Sequence, residues 1–353
     1  MTTAAEHVRS WEALYDELYT GSLTADPDTR FAGWTSSYTG EPIPLAEMRE
    51  WRDATVRRIG ALNPRRVLEI GVGSGLVLTE LAGRCDTYWG VDASGAAIDW
   101  LEDTLDDDIA DRVVLRQGAA HELGDLPELF FDTVILNSVV QYFPGLGYLR
   151  EVLDGVFRLL APGGAVFVGD VRNARTQRCL LAAVAVAKGG DRATLERLLR
   201  LEKELLVDPG FFTGLPYGAD VRLKNAGYHN ELSRHRYDVI LTEAPRPEHP
   251  VARRLAWGVD VTGTTELAGH LVEAGGRGLA VTGIPNLRLT GELAVLAELE
   301  SRPPPPPGTD PAETSALGAR LGYRAVLTWS ETDGCFDVLF TQESGVPQGA
   351  PTP

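Results

Sequence analysis

Apolar positions along this chain follow two periods. Leu45, Met48, Trp51, Thr55 and Ile59 recur at three- and four-residue steps, which predicts a helix from 45 to about 62 whose apolar face lies on a sheet. An earlier helical segment covers about 11–19. From 65 to 172, short aliphatic runs alternate with helical faces: strands over 67–70, 88–91, 113–116, 133–136 and 165–168, and helices over 76–83, 98–105 and 148–160. Ala161-Pro162-Gly163-Gly164 stops the last of these helices. The alternation predicts an α/β, Rossmann-like fold with a mostly parallel, doubly wound sheet. A helical stretch over 175–206 and strands over 221–223 and 237–242 complete it.

Pro245, Pro247 and Pro250 then mark a break. Beyond it, strands over 257–261 and 278–282 alternate with helices over 265–274 and 290–299, and the prolines at 303–307 form a stiff connector. A helix over 311–321 leads to a hairpin of 323–330 with 336–341. The expected organisation is an N-terminal helical lid segment over 1–62, a Rossmann-like core over 63–243, a C-terminal α/β lobe over 244–343 and a disordered tail over 344–353.

Composition narrows the class of function. The 353 residues carry a net charge of −17, which repels a phosphate backbone over much of the surface and argues against nucleic acid as a partner. Cys85, Cys179 and Cys335 form no C-x-x-C pair, so neither a disulfide framework nor a zinc site is expected. His229 and His235 lack the spacing and acidic companions of a metal site, and no metal is expected. The longest apolar run, 180–187, is too short to cross a bilayer, and no export segment precedes it, so a cytoplasmic protein is expected.

The chemistry concentrates where the first strand runs into Glu69-Ile70-Gly71-Val72-Gly73-Ser74-Gly75. Glycines there let the backbone approach a ligand, and Asp92, closing the second strand twenty-one residues after Gly71, is placed to accept both hydroxyls of a ribose. A dinucleotide fingerprint reads G-x-G-x-x-G; here the spacing is G-x-G-x-G, and Glu69 would repel a pyrophosphate but neutralise an ammonium. A nucleoside bearing an ammonium and no phosphate fits: S-adenosylmethionine. In open parallel sheets the ligand lies beyond the carboxyl ends of the strands, the edge that also carries Gln117, Gly118, Ala119, Asn137, Ser138, Val139 and Asp170. Asn137 has a second reading, as a cap of the turn after strand four. The loop 31–40, dense in aromatics and hydroxyls, reads either as a lid or as an anchored surface loop.

The E-I-G-V-G-S-G run with Asp92 resembles motif I of the class I S-adenosylmethionine-dependent methyltransferases. Trp11-x-x-Leu14-Tyr15, the run from Phe31-x-Gly33-Trp34 through Ser37-Tyr38-Thr39-Gly40 to Pro44, Gly169-Asp170-Val171-Arg172-Asn173, Asn230-Glu231-Leu232, Arg236-Tyr237-Asp238-Val239 and Gly283-Ile284-Pro285-Asn286 resemble something narrower. They are similar to the methyltransferase domains embedded in nonribosomal peptide synthetases, over roughly 8–342. The resemblance implies transfer of a methyl group, in natural-product (antibiotic) assembly, to the backbone nitrogen of an aminoacyl thioester held on a carrier (thiolation) domain, beside an adenylation domain. Methylation of a side-chain O or S, or of a free metabolite, is the enzymatic alternative; a catalytically silent scaffold is the other.

For the cofactor it implies that Glu69 and Gly71, Gly73 and Gly75 face the methionine end and Asp92 the ribose. Gln117, Gly118 and Ala119 would face the adenine, and Asn137, Ser138 and Val139 the sulfonium side, with Tyr38 near the mouth. Relatives often hold the adenine amine with an acid after strand three; Ala119 and Ala120 stand there, with Gln117 or His121 as substitutes. On the substrate side, Glu231 or His229 would accept the amine proton, Asp170 orient the amine, and Tyr142 and Gln141 line the cleft; each also has a structural reading, Asp170 with Arg172 as an ordinary ion pair. Arg172, Arg175 and Arg178 would meet an acidic carrier domain or the phosphate of its arm, or form a solvated helix face.

Overall fold

Strand β1 (Arg66–Ile70) is the axis of the first sheet, paired in parallel with β2 (Thr87–Asp92) on one side and β4 (Phe131–Asn137) on the other. In the computed structural model, which describes residues 4–24, 26–224, 226–245 and 250–342, β3 (Val113–Gln117) and β5 (Leu160–Arg172) extend the sheet in parallel. Strands β6 (Gly218–Leu223) and β7 (Arg236–Thr242) close it antiparallel, in the order β3-β2-β1-β4-β5-β7-β6. The winding reverses between β1 and β4, which opens the crevice that open α/β sheets offer a ligand. The predicted mostly parallel, doubly wound sheet is therefore present.

Helix α1 is Ala4–Ser22, and α2 (Leu45–Gly60) buries Met48, Trp51, Thr55, Val56 and Ile59. Leu45, assigned to that apolar face from its spacing, is instead exposed, because it is the first residue of the helix. After the glycine turn the helix expected over 76–83 shrinks to α3 (Leu78–Leu81) and a 3-10 turn, Ala82–Arg84. Helices α4 (Gly95–Thr104) and α6 (Leu146–Leu159) follow the pattern read from the sequence, with α6 burying Leu149, Val152, Leu153 and Val156; the one-turn α5 (Asp107–Ala110) was not expected. Strand β5 does not end at Val168. It continues through a bulge, since Val168 pairs with Val239 and Val171 with Tyr237, leaving one extra residue on β5 across Gly169-Asp170.

The expected helical stretch 175–206 is two helices, α7 (Gln177–Ala187) and α8 (Arg192–Leu201); α9 (Pro209–Thr213) and α10 (Glu231–His235) flank β6. The chain divides into two compact units, Met1–Gln177 with Arg197–Arg246, and Arg178–Glu196 with Pro247–Pro353. The first 62 residues thus join the core: Val56 and Ile59 pack into one cluster with Val67, Tyr88 and Ile135. Residues 178–196 leave it, tied within the second unit by Arg178, whose Nε donates to Glu300 Oε1 at 2.6 Å while Nη2 donates to Glu196 Oε1 at 2.7 Å.

The second unit holds a four-stranded sheet, β10-β11-β9-β8, from β8 (Val251–Ala256), β9 (Gly278–Pro285), β10 (Tyr323–Trp329) and β11 (Cys335–Gln342). Helices α11 (Thr264–Ala274), α12 (Leu287–Leu299) and α13 (Pro311–Arg320) accompany it. The closing hairpin is as expected. The strand expected over 257–261 is a turn: Asp260 Oδ2 accepts from Ala256 N at 2.8 Å, and Gly258 takes φ +82°. The strand itself lies just before it, in Val251–Ala256. The tail from 344 lies outside the described residues.

Candidate active site

The glycine turn is built as its residues require. Gly71, Gly73 and Gly75 take φ of +80°, +51° and +75°, where an L side chain is strained. A Cβ on Gly71 would come within 2.7 Å of Val139 Cγ2, and one on Gly73 within 2.8 Å of Tyr19 Oη. The turn therefore lies directly against the exit of β4 and under α1. Gly75 serves packing: a Cβ there would come within 2.7 Å of Leu101 Cδ2 on α4. Arg30 braces the turn from outside: its Nη1 donates to Ser74 O at 3.2 Å, and Ser74 Oγ returns a bond to Arg30 O at 2.8 Å.

Glu69, in β1 between Gly90 and Ile135, is 2% exposed. Among the described residues its carboxylate takes one hydrogen bond, from Tyr88 Oη to Oε2 at 2.6 Å. Burial pushes its carboxyl up to about 8; the Tyr88 bond opposes this and the nearby Asp92 charge adds to it. Asp92 accepts from Gly73 N (2.7 Å) and Ser94 N (2.9 Å), so this acid fastens the turn as well as closing β2. Burial lifts its pKa too, with the Ser94 and Gly73 N–H groups pulling the other way.

At the exit of β3, Gly118 N donates to Asp92 O at 2.8 Å. Gln117 is exposed, with Nε2 donating to Ala93 O at 3.2 Å and its side chain lying over Gly95. Ala119 N donates to Glu122 Oε2 at 2.9 Å. Glu122 thus returns a carboxylate to the place where the sequence reading found only Ala119 and Ala120. A three-residue step from a loop alanine to an acid, the spacing of an Asx- or cap-like turn, was the available signal. His121 turns instead to Tyr148, Nδ1 to Oη at 2.8 Å.

Helix α1 roofs this edge. Trp11, Tyr15 and Tyr19 recur every four residues on one face, and Tyr142 packs against Trp11 (ring centroids 4.6 Å) and Tyr15 (5.1 Å). Asp16, on α1, accepts from Ser94 Oγ at 2.5 Å and from Ala96 N at 3.3 Å, fixing the helix at the start of α4 beside Asp92. Tyr15 and Tyr19 were missed as site residues although their spacing with Trp11 is readable. Desolvation drives the Tyr142 hydroxyl above its usual pKa, and the Glu204 charge adds to that. Tyr142 is a neutral phenol at working pH.

Asp170 is 0% exposed and sits at φ +60° in the β5 bulge; Ser138, at the end of β4, sits at +56°. Trp51 Nε1 (2.9 Å) and Lys224 Nζ (3.2 Å) reach its Oδ1; Ser138 Oγ (3.0 Å) and Arg236 Nη1 (2.5 Å) reach its Oδ2. Burial alone would raise its pKa, but Arg236 and Lys224 override this and hold the carboxyl down at about 2. Four donors meet the roughly four lone-pair sites of a carboxylate, so Asp170 has none left to orient an amine. It organises its neighbours. Nor does it pair with Arg172, which is held by Glu202 (2.8 Å) and Glu204 (2.6 Å). Arg175 is held by Asp208 (2.7 Å). With Arg178 likewise engaged, these arginines form internal ion pairs instead of a free basic face.

Glu231 belongs with the N-terminal loop: Oε2 accepts from Ser37 N and Oε1 from Ser37 Oγ, both at 2.8 Å. A carboxylate so held is a tether. The loop carrying Tyr38 is therefore anchored, with Trp34 packed on Trp51 at 4.8 Å and Ile43 N donating to Trp34 O at 3.0 Å. His229 is exposed just before α10. Asn137 is buried, its Oδ1 only 2.3 Å from where a Cβ on Gly169 would stand, so its side chain lies between β4 and β5. Gln141 Nε2 donates to Ser138 O at 2.9 Å. Among the described residues no helix is long and apolar enough to cross a membrane.

This sheet, glycine turn and pair of acids define a class I S-adenosylmethionine-dependent methyltransferase. Residues 68–168 match the methyltransferase domain family. The chain is 42% identical over 335 residues to the probable nonribosomal peptide synthetase CymA of Salinispora arenicola, covering 92% of this chain and 4% of that protein. It is 35% identical over 373 residues to chondramide synthase cmdD of Chondromyces crocatus, covering 96% of this chain and 10% of that protein. The chain thus spans a small fraction of the curated relatives it matches. It belongs to the methyltransferase domains carried by nonribosomal peptide synthetases. Among solved structures, the DhpI–SAM–HEP complex is similar with 18% identity and a TM-score of 0.46, over 70% of this chain and 100% of that one.

Two outcomes follow from the geometry. Gly71→Ala puts a methyl against Val139 at an unfavourable φ, and is expected to cost about 1–3 kcal/mol of stability in chemical denaturation and to weaken S-adenosylmethionine binding in calorimetry. Glu69 in the ligand-free fold keeps a proton to about pH 8 that the unfolded chain gives up near its ordinary 4.5. Its contribution to stability is full below about pH 4.5 and is lost as pH rises through about 8. Denaturation midpoints of the wild type should fall over that window more than those of Glu69→Gln; parallel curves would contradict the raised pKa.

Proposed function

We propose that this chain methylates the backbone amine of an aminoacyl thioester held on the phosphopantetheine arm of a carrier domain, next to an adenylation domain, in nonribosomal peptide assembly. The observation that carries the reading is the 42% identity to a peptide synthetase along 92% of the chain. A likeness of that extent reaches far beyond a shared cofactor fold.

The residues present suit S-adenosylmethionine. The left-handed φ values at Gly71, Gly73 and Gly75 give the tight turn after β1 that the cofactor's methionine end would meet, and Glu69 is a buried carboxyl without a cationic partner among its hydrogen bonds. When bound, the cofactor supplies a methyl carbon made electrophilic by a sulfonium. Glu69 would ionise toward its ammonium group, Asp92 would accept from the ribose, Gly118 and Ala119 with Gln117 and Glu122 would border the adenine, and Ser138 and Val139 would line the sulfonium side. Trp11, Tyr15 and Tyr142 would keep water from the reacting face, with Tyr38 on the anchored loop beside them.

Nitrogen is the favoured acceptor for a chemical reason. Asp170 and Glu231 are committed to other donors, so the acids expected to act on the substrate are poor candidates for a general base. An α-amine with a pKa near about 7.7–8.0 has a usable neutral fraction at about pH 7 and needs only a weak proton acceptor, whereas a side-chain hydroxyl needs a strong one. His229, exposed beside α10, is a weak base of the kind an amine needs to take the proton as it leaves.

The test is mass spectrometry of a carrier-loaded amino acid beside the free amino acid. A single-methyl gain located on the α-nitrogen of the loaded form supports the reading; methylation on a side chain, or only of the free compound, refutes it. In calorimetry, Asp92→Ala should weaken S-adenosylmethionine by on the order of 2–4 kcal/mol, through lost charge-assisted hydrogen bonds and a loosened Gly73. Unchanged affinity would put the ribose assignment in error.

A further inference from the structure

Arg236 opens β7 opposite Arg172 of β5, at the same sheet edge as Ser138 and Asp170. Asp170 Oδ2 takes its Nη1 at 2.5 Å, and the guanidinium lies over Trp34, 5.6 Å from the ring centroid. Its side chain keeps 15% exposure, and that bond to Asp170 is the only one it makes among the described residues. One in-plane donor is used and one face is covered, so the remaining N–H donors are oriented and open to a ligand.

The charge around it is unusual for a carboxylate-binding arginine. Burial alone would lower its pKa, but Asp170, Glu204, Tyr142 and Glu231 act on it and raise it above its usual value. Lys224 does not restore a positive balance, since it is shared between Asp170 (3.2 Å) and Asp238 (2.7 Å). Arg172 is likewise spent on Glu202 and Glu204. Glu204 is paired to Arg172, but Asp170 and Glu231 already offset the Arg236 guanidinium, so a ligand carboxylate there would add a further negative charge. A neutral carbonyl oxygen would accept the same hydrogen bond without that repulsion.

We infer that Arg236 is a specificity-determining residue that donates to the carbonyl oxygen of the substrate's thioester, and that the carboxylates around it exclude the free amino acid from the same position. The inference rests on the reading that the substrate is an acyl group on a carrier. It adds a means of selection that works at the substrate itself, apart from any docking of the carrier. Asp170, which is fully buried, fixes the guanidinium in place.

The experiment compares an aminoacyl N-acetylcysteamine thioester with the matching free amino acid, measuring kcat and KM for each on the full chain, with S-adenosylmethionine affinity by calorimetry. Arg236→Gln should raise the thioester KM by about 10–100-fold and leave cofactor affinity within about twofold, and Arg236→Lys should recover part of the loss. Glu204→Gln, which keeps Arg236 and removes one of the carboxylates, should narrow the preference for thioester over free acid by about 3–10-fold. Wild-type turnover of the thioester with an unchanged KM in Arg236→Gln overturns the inference and leaves N-methylation standing. Wild-type turnover of the free acid equal to that of the thioester overturns the selection and the carrier-bound reading together. Should Arg236→Gln fail to fold, a thioester-to-acid ratio unmoved in both Arg236→Lys and Glu204→Gln overturns the inference on its own.

Discussion

A single carboxylate, buried completely and kept ionised, holds the ends of β4, β5 and β7 in shape at one edge of the sheet. Asp170 accepts from Trp51 of α2, Ser138 at the end of β4, Lys224 after β6 and Arg236 of β7. Its own N–H donates to Asp238 Oδ1 at 2.9 Å. An isolated charge there would be driven to its neutral form by several kcal/mol of desolvation. Two cations and two neutral donors prevent this, and in doing so they bind four segments of chain to the bulge of β5. The bulge is what frees the Asp170 side chain from the β5–β7 ladder to meet them. Trp34 and the loop behind it are then placed by Trp51 and Arg236, and Ser37 by Glu231.

Glu69 is the complementary case. Both acids sit in strands at the carboxyl edge of one sheet, and both are almost fully buried. Asp170 has cations beside it and titrates at about 2; Glu69 has a phenol and another acid, and titrates at about 8. Folding completes one of these sites and leaves the other short of a positive charge. On the proposed reading the ammonium of S-adenosylmethionine would bring that charge. The glycine turn is held by Asp92 on one side and covered by Val139 and Tyr19 on the other.

The sheet was legible because its strands are short aliphatic runs bounded by glycine, proline or acid, and because the residues at their ends fall on one edge once the strands are parallel. Gly71, Asp92, Gly118, Ser138 and Asp170 were all placed on that edge by order alone. Partnership was not legible. Nothing local marks Asp170 as joined to Trp51 and Arg236, which lie 119 and 66 residues away. Its expected role at the substrate amine gave way to one as organiser, and Glu231 became the tether of Ser37. Strand β8 escaped because Arg253 and Arg254 interrupt its apolar character, while the more aliphatic 257–261 drew the strand assignment and proved to be a turn. Residues 178–196 carry a helical period that says nothing of which unit they join; the Arg178 bonds decide it. The aromatic stripe of α1 read as a helix face and showed its target only against Tyr142 and Gly73.

On the proposed reading Glu69 is a buried acid that would wait, protonated, for the ammonium of S-adenosylmethionine. Calorimetry of cofactor binding at about pH 7, in buffers of different ionisation enthalpy, measures this directly. Release of close to one proton by the wild type, abolished in Glu69→Gln, is the result expected. Binding heats independent of the buffer, or the same proton release from Glu69→Gln, would contradict it.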